Sequence, residues 1–202
     1  MTTIPLETHL ITLLVNEQRI VTRQIQVGRT TQTRRMRVTQ QREIPPGETA
    51  ATVRAGVTLA NQVLEPINIS FRLTSINNQR TAAPQNREVV TDNGFLYLAG
   101  QYPTRRGARL FVVHRFAGQE GGQAIEAQRV CIVKRLGSPL FGKTLAHELG
   151  HLLNLDHVTT GTAARYNLMW PGLRAGDRLE PAQIQRALRS GLARAFPARQ
   201  SP

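Results

Sequence analysis

His147-Glu148-Leu149-Gly150-His151-Leu152-Leu153-Asn154-Leu155-Asp156-His157 is the stretch on which the reading of this 202-residue chain turns. It places three imidazoles and one carboxylate within eleven residues. His147 and His151 are four apart, so on a helix they lie one turn apart on the same face. Two imidazoles so placed can hold one divalent ion, and zinc is the usual occupant. Glu148 follows the first His, a position that suits a general base rather than a further ligand. His157 lies six residues beyond His151, about 600° around a continuing helix and so turned away from the metal. It serves as third ligand only if the helix stops near Leu153 or Asn154 and the chain bends back.

Working outward, the spacing predicts the helix over 139–153, a loop over 158–168, and a last helix from Pro181 to Phe196. Ile184, Leu188, Leu192 and Phe196 form the packing stripe of that last helix. Upstream, 9–42 is β-rich: strands at 10–15, 20–27 and 34–41, with a turn at 28–33. Arg34, Arg35 and Arg37 can be read as a phosphate patch, but on a half-exposed third strand they read more simply as a solvated face. Pro45-Pro46-Gly47 breaks the chain before a helix over 48–64. A strand follows at 67–76, then a polar excursion over 77–108 in which Phe95 to Leu98 packs as a short element. Strands are expected at 109–116 and 129–134, with a short edge strand at 124–128. His9 and His114 belong to no motif and read as strand residues.

The pattern H-E-x-x-H-x-x-(G)-x-x-H resembles that of the metzincin zinc peptidases. Asn154 stands where that family has Gly, and Asn is the non-Gly residue that best tolerates a left-handed backbone. Leu155-Asp156-His157 resembles the ending common in matrixins. Twelve residues on, Leu168-Met169-Trp170-Pro171 resembles the Met-turn. The resemblance covers roughly 46–196. It implies one Zn2+ held by His147, His151 and His157, Glu148 as the catalytic base, and Met169 as a packing base beneath the ligands. It implies a wall of Pro171, Gly172 and Leu173 along the pocket after the scissile bond. It further implies an α+β, zincin-like fold: a mixed, mostly parallel twisted sheet with an antiparallel edge strand, an active-site helix, and a small C-terminal subdomain ending in a helix. That edge strand falls at 122–128, where a substrate backbone would pair. The whole of 1–202 then forms one catalytic domain. Its N-terminal subdomain runs to about 154 with a β-rich extension over 1–42, and its C-terminal subdomain covers about 155–202. Val158 matches no subgroup mark, and Pro171 stands where astacins and serralysins carry a Tyr.

The implied activity is zinc-dependent hydrolysis of peptide bonds in a protein or peptide substrate. The alternatives are a metal-dependent endoribonuclease-like hydrolase and a non-catalytic metal-binding regulator. Composition bounds these readings. An apolar fraction of 40% suits a globular domain, and a single Cys excludes an intrachain disulfide framework. Cys131, within Val130-Cys131-Ile132-Val133, reads as a buried strand thiol. The net charge of +13 comes almost wholly from arginines, since Lys134 and Lys143 are the only lysines. They look dispersed, so the charge reads as a basic surface and not as a nucleic-acid site. No stretch is long and apolar enough for a membrane span. The N-terminus has no signal-peptide pattern. The expectation is secretion or delivery by another route, with a cytoplasmic location as alternative, and a protein inhibitor or delivery apparatus as possible partners.

Overall fold

Two long strands cover 2–27 and 30–44, where the sequence suggests three short ones. In the computed structural model, which describes residues 1–27, 30–103, 106–118, 121–161, 164–172 and 176–197, β1 spans Thr2–Val27 and β2 spans Thr30–Ile44. They pair antiparallel from Leu13 opposite Ile44 to Val27 opposite Thr30. The apolar run Leu10 to Val15 hides its alternation because both faces of β1 are covered there. Ile4, Leu6 and Leu10 enter one core cluster, and Ile11, Leu13 and Val15 enter the other. The first half of β1 is therefore an inner strand of the sheet, not an extension beside it.

The remaining strands are β3 Ile69–Ala82, β4 Ala108–Val113, β5 Gly122–Ile125 and β6 Val130–Lys134. Leu13 and Leu14 pair with β2 and β3 at once, so those strands lie on opposite edges of β1. Leu6 to Leu10 pair with β4 on the edge away from β3. The sheet thus runs β3-β1-β4-β6-β5, with β2 following β4 along the same edge of β1. The β3, β1, β4 and β6 pairings are parallel, and β5 is antiparallel. The chain is α+β with a mixed sheet, as the sequence suggested. β3 runs six residues beyond its expected end at Ile76. Among the described residues its one strand partner is β1, so an edge position accommodates Asn77, Asn78 and Arg80, whose polarity reads as loop.

Helices α1 (Ala50–Leu64) and α3 (Leu140–Leu152) cover one face, and α2 (Asp92–Gln101) covers the other. Thr49 and Thr91 cap α1 and α2 by accepting from Thr52 N–H and Gly94 N–H. α2 replaces much of the expected excursion over 77–108. The expected last helix is two: α4 Pro181–Leu188 and α5 Gly191–Ala195. Ser190 breaks the run and caps α5, its hydroxyl accepting from Ala193 N–H at 3.1 Å. A spacing of four residues drifts about 40° per step on a helix. The expected stripe accordingly loses Leu188, which is 40% exposed, while Leu192 is buried, Ile184 and Phe196 pack partly buried against the core, and Ala187 and Ala193 are buried as well.

Helices α1 and α3 approach closely at two glycines. A Cβ on Gly56 would lie 2.5 Å from the ring of Phe141, and one on Gly142 would lie 2.8 Å from Leu59 Cδ2. Phe141 is fully buried and has nowhere to go. Gly56→Ala gains about 1 kcal/mol of helix propensity and suffers overpacking of about 1–3 kcal/mol. The expected net result is a lower urea midpoint; a midpoint above wild type would contradict this close approach.

Candidate metal centre

α3 carries His147, Glu148 and His151, and its ending decides where His157 goes. Asn154 adopts φ +63, the left-handed conformation that the bend requires. Asn154 N–H donates to the His151 carbonyl at 2.9 Å, and Leu155 N–H donates to the Gly150 carbonyl at 3.1 Å. This is a Schellman ending, which satisfies carbonyls that the last helical turn leaves open. Leu155 then buries against the core, and the chain returns toward the helix.

The return brings three nitrogens together. Nε2 of His147, His151 and His157 are each 3.1 Å from the other two. The far nitrogens show what these atoms are. Nδ1–H of His147 donates to the Leu168 carbonyl at 2.7 Å, and Nδ1–H of His151 donates to the Leu155 carbonyl at 2.8 Å. With the proton held on Nδ1, each Nε2 presents a lone pair toward the others. Facing lone pairs repel unless a cation lies among them. Three corners of a zinc tetrahedron with zinc–nitrogen bonds of about 2.0–2.1 Å stand about 3.3–3.4 Å apart. The residues therefore fit a divalent ion of that kind. Burial pushes the His147 pKa down to about 4, and the neighbouring imidazoles add to this. The ring stays neutral and able to ligate well below pH 7.

Glu148 is 2% exposed and lies against β5. A Cβ on Gly122 would stand 3.0 Å from Glu148 Oε1 and 2.5 Å from the Ile132 carbonyl, so only glycine leaves room for the carboxylate there. A cleft of about 360 Å³ opens between β5 and the end of α3, lined by Gln123, Ala124, Glu126 and Glu148, by His151, and by the returning stretch from Asn154 to His157. Cys131 lies beneath, fully buried; burial and then the Glu148 charge push its thiol pKa up, which leaves it an inert strand residue.

Met169 is completely buried under the helix. Its sulfur occupies the space beside Gly150, where a Cβ would come within 2.7 Å. Asn167 Oδ1 accepts from Met169 N–H at 2.8 Å, and Asn167 Nδ2 donates to Gln183 Oε1 at 2.8 Å. The same Gln183 oxygen accepts from Glu180 N–H at 2.9 Å as part of the α4 capping box. The start of α4 thus holds the loop that supplies both Met169 and the Leu168 carbonyl. Gly122, Gly150, Asn167 and Gln183 escape a motif reading. A glycine inside a helix, which costs stability unless close packing requires it, was the available signal for Gly150.

Neighbouring polar and aromatic residues have other partners. Asp156 turns to Arg186, its carboxylate 2.5 Å from the guanidinium, and Arg186 also donates to Asn154 Oδ1 at 3.3 Å. Tyr166 is exposed between Arg165 and Arg178. His9 is buried beside Tyr102 and Phe111. Pro171 and Gly172 are half-buried; Leu173 lies outside the described residues.

The bend at Asn154 has a direct test. Asn154→Gly keeps the left-handed turn and is expected to retain metal, with stability within about 1 kcal/mol of wild type. Asn154→Val places a β-branched residue at positive φ, at a cost of about 1–2 kcal/mol, and is expected to loosen His157 and weaken metal binding. Competition with a chromophoric chelator reads both; equal affinity in the two variants would contradict the role given to the turn.

No protein-family model and no curated protein matches the sequence. Among solved structures, the chain is similar to a zinc-dependent peptidase from Methanocorpusculum labreanum strain Z, with 14% identity and a TM-score of 0.47, covering 67% of this chain and 94% of that one.

Proposed function

We propose that this chain is a zinc-dependent endopeptidase of the metzincin type. The convergence of three Nε2 lone pairs at 3.1 Å beside a buried glutamate carries the reading. A zinc ion there supplies Lewis acidity, polarising a carbonyl and acidifying water to a pKa of about 7. The chain's own groups do the rest. His147 and His151 stay oriented because their Nδ1 protons are committed to the Leu168 and Leu155 carbonyls. Glu148, at the back of the cleft, takes the proton of the attacking water and passes it to the leaving amine. Among the described residues β5 pairs only with β6, so its free edge can receive an extended peptide by strand pairing. Gln123 Oε1 is buried at the cleft with no hydrogen-bond partner, and it can accept from a substrate N–H. Met169 acts as a packing base. Pro171, Gly172 and Leu173 are proposed to border the site beyond the scissile bond. The whole of 1–202 is taken as the catalytic unit, its two subdomains meeting near Asn154.

The test is hydrolysis of a generic unfolded protein by zinc-loaded enzyme, with and without a chelator, beside the same preparation incubated with RNA. Chelator-sensitive peptide cleavage is expected. Cleavage that persists without metal, or metal-dependent cleavage of RNA alone, would overturn the proposal.

A further inference from the structure

The β1–β2 hairpin outgrows the sheet. β3 makes its last pair with β1 at Leu14, and beyond that point β1 pairs with β2 alone as far as Val27. At about 3.3 Å per residue the two-stranded ribbon reaches roughly 40 Å. Its base is fastened. The Asn86 side chain accepts from Asn16 N–H and donates to the Asn16 carbonyl, and Arg42 pairs with Glu17 and Glu88. Arg80 pairs with Glu43.

Beyond the base the chemistry has one sign. Residues 18–41 contain six arginines and no Asp, Glu or Lys, and Gln and Thr make up most of the remainder. Among the described residues, Arg19, Arg23, Arg34, Arg35 and Arg37 occupy paired positions of the hairpin, with Arg19 near its base paired to Glu17. Arg35 and Arg37 are exposed, stand opposite Thr22 and Ile20, and so share a face of the ribbon. Neither has an ion-pair partner among the described residues. Charge at a free strand edge discourages aggregation, but either sign does that, and this arm carries only one.

We propose that the ribbon is a DNA-binding arm that enters the major groove of a B-form duplex. That groove is about 12 Å wide and admits a two-stranded β-ribbon. Arg, Gln and Thr are the side chains that contact phosphates and base edges. An acidic protein partner fits less well, because a protein interface needs an apolar centre. Among the described residues, the large exposed apolar ones here are Ile20 and Met36, which lie on opposite faces, since Met36 pairs with Val21 and Ile20 with Arg37. The inference is independent of the zinc site.

The experiment is fluorescence anisotropy of a labelled 20-base-pair DNA duplex with the full chain, over a salt series from 50 to 300 mM. Wild type is expected to bind with a steep salt dependence. Arg35→Gln/Arg37→Gln is expected to weaken binding at least tenfold and lower the log–log salt slope by about 2, at about 0.9 per phosphate contact. Arg35→Lys/Arg37→Lys is expected to keep most of the slope. Duplex RNA of the same sequence is expected to bind more weakly, since its major groove is deep and narrow. The variant positions are exposed, so unchanged thermal melts and metal content show that the fold survives. No binding at 50 mM salt overturns the proposal. So does a double Gln variant that binds like wild type, or equal affinity for duplex RNA or for polyglutamate.

Discussion

Glu148→Ala is expected to slow hydrolysis of an unfolded protein by about 10²- to 10⁴-fold, the usual contribution of a positioned acid–base group. Metal content is expected to stay at the wild-type level. The two halves of that result have separate causes. His147 and His151 are oriented by the carbonyls of Leu168 and Leu155, and His157 is placed by the Asn154 turn. None of these anchors involves the Glu148 side chain. The carboxylate instead sits against the β5 backbone at Gly122, facing the cleft. Its removal takes away the proton acceptor and leaves the nitrogen triangle intact. The loss should therefore appear in kcat, with KM little changed. Glu148→Gln, which keeps the shape, should be as inactive as the alanine variant. Substantial activity in either would assign the proton transfer to another group, and loss of metal in both would make Glu148 part of the metal centre.

What could be read from the sequence was what a local rule governs. The His147–His151 pair follows from one helical turn, and the need for a bend before His157 follows from the helical angle per residue. Asn154 could be named as the bend because few residues accept positive φ. Cys131 could be read as a buried thiol because it lies in a short apolar run. The α+β class with a mixed sheet was legible through the motif resemblance together with the order of strands and helices.

What escaped depended on partners far along the chain. β1 is covered on both faces, so its apolar run carries no alternation to count. β3 is polar beyond Ile76 because it lies at an edge, and polarity alone suggests a loop. The last helix divides at Ser190, where a serine cap competes with a four-residue apolar repeat that cannot stay on one face. At the site, Gly122 and Gly150 are defined by what approaches them, a carboxylate and a sulfur from other segments. Asn167 and Gln183 matter through a contact spanning sixteen residues. The ribbon is a partial case: the arginine-rich, acid-free run 18–41 is visible in the sequence, but that Arg35 and Arg37 share a face opposite Thr22 and Ile20 appears only with the hairpin register.

His157→Ala is expected to weaken zinc binding by more than about 100-fold, beyond the 10- to 100-fold typical of losing an outer hydrogen-bond partner. His157 is an exposed residue at the end of the returning chain, so its truncation opens no core cavity. Its Nε2 lies 3.1 Å from both helical ligands, and without it two nitrogens remain on one face of α3. His9→Ala and His114→Ala, at positions outside the cluster, should leave zinc affinity unchanged. The effect should also be visible in stability. Ligand held at about 1,000 times its Kd stabilises the native state by roughly 4 kcal/mol. For a domain of this size each kcal/mol moves Tm by about 2–4 °C. Chelation should therefore lower the wild-type Tm by roughly 8–16 °C and leave His157→Ala almost unmoved, because that variant gains little from the metal to begin with. Equal zinc stoichiometry and an equal chelator-induced drop in the two proteins would show that two histidines suffice, and His157 would lose its place as the third ligand.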